Sequence, residues 1–447
     1  MVPVEWVGAS GCAYRCTLVV AVMLGLSPGC AAERGPSQIT IRTYPGGVPV
    51  ADEPSSNATL VAFQDGDQPW RALDGTGGVY HATVTGERYG VAVGCDADGV
   101  DLSGIAVVHR TLAEATELAL AGCPVAPTSA GTVVLSGTVR GIPAGQSAAV
   151  TAATRRNATT ATVSTDGSYH LTVPAGQRRQ VFARSFLVDT MGQLVSTRFY
   201  VGPALDLTAA ATLDIDIAAD GRPAQSGALA TQGVNADDNI VVIAQALTPL
   251  AALPLELKST GHGVPTSYEA VDPGQLGVGD LLAVSVQTNA TTVAGVPGGH
   301  RQFFAYTAPG KPVSVALPAP LSVPAPQISH ASSPLPIISL PSDLVAEVRD
   351  GASLIASISS TVPTPPGSAL RYTTITLSRD YLAGSGAPSY TAPDLSALAG
   401  WQPGMALVPG QSALWSVGIQ EAKVSSTQHR SDGDVVTLTS VIGSLAL

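Results

Sequence analysis

Val133-Val-Leu-Ser-Gly-Thr-Val-Arg-Gly141 places Val133, Leu135 and Val139 on one face, and a turn at Thr165-Asp-Gly-Ser168 leads into a second alternating run, Tyr169 to Val173. Successive side chains of a strand point to opposite faces, so this spacing predicts half-buried strands joined by tight turns rather than helices. Ala148 to Thr154, Thr160 to Ser164 and Gln180 to Phe186 continue the pattern, with Pro174-Ala-Gly176 as a further turn.

The same grammar extends in both directions. Upstream, strands are expected at Ile39 to Tyr44, Thr59 to Gln64, Val79 to Thr85, Tyr89 to Gly94 and Ile105 to Arg110. Tyr89, Val91 and Val93 share a face, and Leu112 to Leu120 reads as strand-like despite its Ala, Glu and Leu. Downstream, strands are expected at Ile240 to Leu247, Leu255 to Lys258, Leu281 to Thr288, Gln302 to Thr307, Val313 to Leu317, Leu344 to Arg349, Ser353 to Ser359, Tyr372 to Ser378, Ala413 to Val424 and Val435 to Leu445. Trp415, Val417 and Ile419 share a face, which makes Trp415 a core residue rather than a binding platform. Neither helical heptads nor strand–helix alternation appears, so the expected fold is all-β: three or four β-sandwich domains, Ig-like or transthyretin-like, in series.

Within 131–190, Leu135-Ser-Gly-Thr-Val139, Asp166-Gly-Ser-Tyr169, Val173-Pro-Ala-Gly176 and Val181-Phe-Ala183 together resemble the carboxypeptidase-regulatory and transthyretin-like β-sandwich modules. The resemblance implies a hairpin at Asp166-Gly-Ser-Tyr169 with the aromatic in the core. It implies a spacer or accessory role and carries over no catalytic residue.

Thr17-Leu-Val-Val-Ala-Val-Met-Leu-Gly-Leu26 is an apolar run about half the ~20 residues that a membrane-crossing helix requires, and it ends in small, turn-forming residues, the layout of a cleaved export signal rather than a core helix. Ser27-Pro-Gly-Cys30 resembles the lipobox of bacterial lipoproteins. That resemblance implies cleavage before Cys30, a lipid on its sulfur, and a membrane anchor facing outside the cytoplasm, in the outer membrane where there is one. Plain secretion is the alternative. Two departures stand out: Leu26 lies four rather than three places before the cysteine, and the stretch ahead of the apolar run has Arg15 as its sole cation, opposed by Glu5.

Linker composition then divides the chain into a signal at 1–29, a lipidated leader at 30–38, a β domain at 39–125, the module at 131–220, a β domain at 227–317, a proline-rich connector at 318–341 and a last β domain at 342–447. Charged residues make up only 12% of the chain, against roughly 25% in an average protein, so Ala, Gly, Thr, Ser and Pro leave a hydroxyl-rich surface. Net charge is -11, with no basic stripe beyond Arg155-Arg156 and Arg178-Arg179, which disfavours a nucleic-acid partner.

Cysteines stand at 12, 16, 30, 95 and 123. Loss of the first two with the signal and lipidation of Cys30 leaves Cys95 and Cys123 as one pair, expected to be a disulfide in an oxidising compartment. Half of a metal site is the rival, but His81 and His109 lack ligand spacing. Asp96-Ala-Asp98-Gly-Val-Asp101 sets carboxylates at Asp96, Asp98 and Asp101 around a glycine, a candidate calcium loop; an acidic turn is the alternative. The lone Gly-x-Ser-x-Gly lies in the signal and contains Pro28, and no zincin, phosphate-loop or dinucleotide motif occurs. Function therefore reads as an exported, membrane-anchored lipoprotein with a structural or binding role and no catalytic residue nominated. A carbohydrate- or peptide-binding component, which exposed aromatics such as Trp70 would favour, and a hydrolase with a scattered site are the alternatives.

Overall fold

Short runs rich in Val, Ile, Thr and Tyr, punctuated by Gly, Asp and Pro, do fold as strands throughout the computed structural model. It describes residues 36–447 apart from 45–57, 97–101, 122, 124–130, 156–157, 191, 262, 289–297, 322–326, 330–334, 365–366 and 425–429. The fold is almost all β, with several sheets.

One 12-stranded sheet organises the rest. From one edge it runs Ala252–Gly261, Ile240–Leu247, Leu281–Thr288, Gly298–Thr307, Val435–Ala446, Ser412–Lys423, Ala352–Thr364, Gly367–Ser378, Leu102–Thr111, Arg88–Cys95, Leu60–Asp65 and Arg71–Ala72. Neighbours pair antiparallel except Gly367–Ser378 with Leu102–Thr111, which pair parallel from Leu370 opposite Leu102 to Leu377 opposite His109. Strands from 39–125, 227–317 and 342–447 thus share one hydrogen-bonded sheet, and pairing crosses the boundaries expected from linker composition. Linkers mark where the chain is free to turn, whereas ladders form between whichever edges meet.

Cores lie on both sides of this sheet. Leu354, Ala356 and Ile358, with Ile375, Leu377, Trp415 and Val417, face a core completed by Leu344, Leu382, Leu395 and Met405. At the other end, Phe63, Tyr89, Val91 and Val93 face Ile39, Ile41, Tyr80 and Val84 of a small sheet formed by Gly75–Thr76, Val79–Val84, Ser37–Tyr44 and Glu117–Ala121. Arg88–Cys95 is consequently buried on both faces rather than one, because its second face is Gly90, Ala92 and Gly94 and lets other groups approach closely. A Cβ at Gly94 would stand 2.7 Å from the Met405 sulfur.

The 131–220 stretch forms two sheets around its own core of Leu135, Val150, Tyr169, Leu171, Val181 and Ile217. One sheet contains Ala158–Thr162, Ser147–Ala153, Gln177–Val188 and Leu194–Leu207, extended by Arg222–Pro223 from just beyond the stretch; the other is built on Ser168–Pro174 and Thr132–Arg140. The larger sheet also buries Ala153, Phe182 and Phe199 against Leu253 and Leu255 at the edge of the 12-stranded sheet. Edge strands expose unpaired backbone groups that invite foreign strands. Here Arg184 Nη1 donates to the Leu255 carbonyl at 3.1 Å and Gln193 Nε2 to that of Ser259 at 2.7 Å. Pro254, which has no amide proton, fits such an edge.

Two local expectations change. Leu344 to Arg349, read as a strand, lies mostly in the helix Ser342–Glu347, which starts behind Pro341 and carries Asp343 in its first turn. In the ambiguous 112–120 stretch, a turn precedes a short strand, Glu117–Ala121. Parts of the proline-rich connector are ordered: Ile328–Ser329 and Ile337–Ser339 form a small sheet with Ser389–Thr391. Nearby, buried Arg301 pairs with Asp238 and donates to the carbonyls of Gly233 at 2.7 Å and Pro318 at 3.1 Å. Among the described residues no helix is long and apolar enough to cross a membrane.

Candidate functional site

The residues nominated by sequence fare differently. Cys95, ending its strand, and Cys123 form a disulfide with Cα atoms 5.1 Å apart, both fully buried. The next residue, Asp96, turns its carboxylate toward protein cations and hydroxyls: Arg371 Nη1 lies 3.4 Å away and Ser103 Oγ donates at 3.2 Å. Arg371 also donates to the Gly404 carbonyl. Asp98 and Asp101 lie outside the described residues, as does Cys30. Among the described residues no three His, Cys, Asp or Glu side chains converge in a metal-binding arrangement. Trp415 is in the core, as its strand position predicts.

The most elaborate polar cluster surrounds His109, which sequence analysis set aside as isolated. Its inward position on Leu102–Thr111 buries it, and Tyr390 meets it Oη to Nε2 at 2.7 Å. Tyr381 lies against the ring at 4.5 Å between centroids, and Trp70 approaches edge-on at 5.8 Å. Trp70 is therefore engaged within the fold rather than displayed. Burial, reinforced by the Arg88 charge, pushes the imidazole down to about 3, so it is neutral at physiological pH. Burial raises the Tyr390 phenol. Among the described residues Nδ1 has no hydrogen-bond partner, and it faces Gly90, where a Cβ would stand 2.9 Å away. A neutral histidine walled in by three rings and a glycine is a fixed hydrogen-bonding group, without space at Nδ1 for a reacting atom. No sequence signal announces it, since His109 and Tyr390 are 281 residues apart.

A broader feature is the uncovered face of the central strands. Opposite the core, the outward positions of Leu102–Thr111, Gly367–Ser378, Ala352–Thr364, Ser412–Lys423 and Val435–Ala446 carry Ala106 and Val108; Tyr372, Thr374 and Thr376; Ile355, Ser357 and Ser359; Leu414 and Ser416; Ile442 and Ser444. All are partly or fully exposed, and none of these residues carries charge. Arg110 closes one end by donating to Ser353 Oγ at 2.8 Å. Tyr372 lies against Gly104 on the neighbouring strand, its Cδ1 2.8 Å from where a Cβ would be. At ~4.8 Å between strands and ~6.8 Å between same-face residues, this patch of hydroxyls and small apolar groups measures roughly 20 by 20 Å.

No family model and no curated protein matches the chain. Among solved structures, the Bacillus anthracis TIE protein aligns with a TM-score of 0.18 and 8% identity over 63% of this chain; the chain spans 50% of that protein's length. An adhesin described as Ca2+-stabilized, with which an Antarctic bacterium binds ice, aligns with a TM-score of 0.14 and 12% identity over 91% of this chain and 93% of its own. The Streptococcal ancillary pilin aligns with a TM-score of 0.14 and 8% identity over 63% and 98% respectively. The chain is an all-β protein by its own strands and sheets, and alignments at these TM-scores add nothing to that.

Proposed function

We propose that this chain is an exported, lipid-anchored protein without enzymatic activity that presents a neutral β-sheet face outside the cytoplasm for structural or binding contact. The observation that carries the reading is the Cys95–Cys123 disulfide, because a buried bond of this kind persists in oxidising compartments. The lipobox-like Ser27-Pro-Gly-Cys30 supplies the anchor, and 131–220 serves as a carboxypeptidase-regulatory-like accessory unit. The contact surface is the charge-free face around Tyr372 and Thr374. Its area, about 400 Å² by strand geometry, is half of the ~800 Å² per partner of a stable protein complex, which favours a narrow, neutral ligand over a large folded one.

Replacing Cys30 by Ser and fractionating cells tests the anchor. The wild-type protein is expected in the membrane fraction with a blocked amino terminus at Cys30, and Cys30→Ser in the soluble exported fraction. Unchanged membrane association of Cys30→Ser, or an open terminus elsewhere, overturns it. A second reading, a carbohydrate- or peptide-binding component, is favoured by the Tyr372 ring against Gly104, since aromatic rings suit the apolar faces of sugars. Retention on neutral polysaccharide columns that Tyr372→Ala abolishes would support it.

A further inference from the structure

The 131–220 unit meets the edge of the large sheet through two carboxylates. Glu256, on the edge strand Ala252–Gly261, is 8% exposed and accepts the Glu269 backbone N–H at 2.9 Å. Glu269, on Ser267–Ala270, passes the connection onward: its Oε1 accepts the Ser196 backbone N–H at 2.8 Å, where Leu194–Leu207 bulges against Gln177–Val188. Glu269 Oε2 and Ser196 Oγ are buried without a hydrogen-bond partner among the described residues. Among the described residues the charged groups facing this pair are Arg184, from Gln177–Val188, which feels the Glu269 charge, and Lys258, on Glu256's own strand.

With both carboxylates ionised, Glu256 holds a buried charge beside the like charge of Glu269, while Arg184 is partly committed to the Leu255 carbonyl. Such a charge is costly unless paired or protonated. We propose that Glu256 and Glu269 form a pH-sensitive latch that seats the 131–220 unit on the edge of the large sheet, closed while Glu256 carries a proton and loosened when both carboxylates are ionised. The chain of contacts is directional. Glu256 holds Glu269, Glu269 holds Ser196, and Ser196 belongs to the hairpin whose Gln193 and Arg184 cap the open edge.

Burial, then the charge of Glu269, raises the Glu256 carboxyl to about 7, against hydrogen bonding and Lys258, which lower it. The closed latch therefore holds more protons than the open one between about pH 4.5, the ordinary glutamate range, and 7, so raising pH through that window favours opening. Phe182 and Phe199 stay packed against Leu253 and Leu255, so the expected event is local loosening rather than detachment.

Hydrogen exchange of the full chain tests this at the Ser196 and Glu269 amides. After correction for intrinsic exchange, their opening should increase about tenfold between pH 6 and 8.5, while amides of Leu354 and Val417 do not change. Glu256→Gln, which keeps the acceptor and removes the charge, should hold both amides protected across the range. Glu269→Gln should move the transition to lower pH. Protection at Ser196 and Glu269 that follows intrinsic exchange alone, or an unchanged pH response in Glu256→Gln, overturns the proposal. Should Glu256→Gln fail to fold, the wild-type pH series decides by itself.

Discussion

Removing the Cys95–Cys123 bond tests both the compartment and the way the chain is tied together. The two cysteines are 28 residues apart, and closing a loop of that length removes about 12 cal/mol/K from the unfolded chain, or ~3.6 kcal/mol at 25 °C. Because both side chains are buried, Cys95→Ala with Cys123→Ala is preferable to serine, which would add two buried hydroxyls. The double variant is expected to lose about 3 to 4 kcal/mol by urea unfolding, with the wild-type protein in reductant showing a similar loss. Hydrogen exchange should place the loss in Arg88–Cys95 and Glu117–Ala121 first. Cys95 lies in a strand whose neighbour, Leu102–Thr111, pairs with Gly367–Ser378, so the weakening should reach that junction before the 131–220 unit. Two free thiols by mass in the protein isolated without reductant, or stability unchanged within about 0.5 kcal/mol, would refute the reasoning.

Replacing Arg301 by Met removes a buried cation that pairs with Asp238 and should cost ~3 to 5 kcal/mol; Arg301→Met with Asp238→Asn should recover part of it, as urea midpoints will show. His109 supplies a second pH dependence, of opposite sign to that of Glu256. Its folded value lies below that of free imidazole, so its contribution is complete above about pH 6.5 and is lost progressively as pH falls toward 3. His109→Gln is expected to flatten the acid limb of a stability-against-pH curve. An acid limb as steep as that of the wild type would rule His109 out as its source.

Local structure was legible wherever a pattern is local. Asp166-Gly-Ser-Tyr169 forms a turn, with Asp166 accepting from the Ser168 amide at 3.0 Å and from its hydroxyl at 2.7 Å, Gly167 at a φ of 86° and Tyr169 in the core, but the strands it joins, Ala158–Thr162 and Ser168–Pro174, lie in different sheets, so it is not the hairpin that the resemblance implied. The Cys95–Cys123 pairing was legible too, from cysteine bookkeeping. Partnership was not. Alternation marks which face of Leu102–Thr111 is apolar but is silent on which strand fills its open edge, and the answer lies beyond residue 366. Nothing in the sequence singles out Glu256, because neither the bulge at Ser196 nor the approach of Glu269 has a signature at i±2. Leu344 to Arg349 went astray because six residues are too few to separate a period of 2 from one of 3.6.

The parallel pairing of Leu102–Thr111 with Gly367–Ser378 carries a consequence for biogenesis. A chain that emerges amino terminus first presents Leu102–Thr111 long before its partner exists, and more than 250 further residues must be made before that edge is closed. Non-local pairing of this kind is slow, and a waiting strand edge is prone to aggregate. A nascent chain halted before residue 367 is therefore expected to need a holding chaperone, whereas one that includes Gly367–Ser378 can close that edge itself.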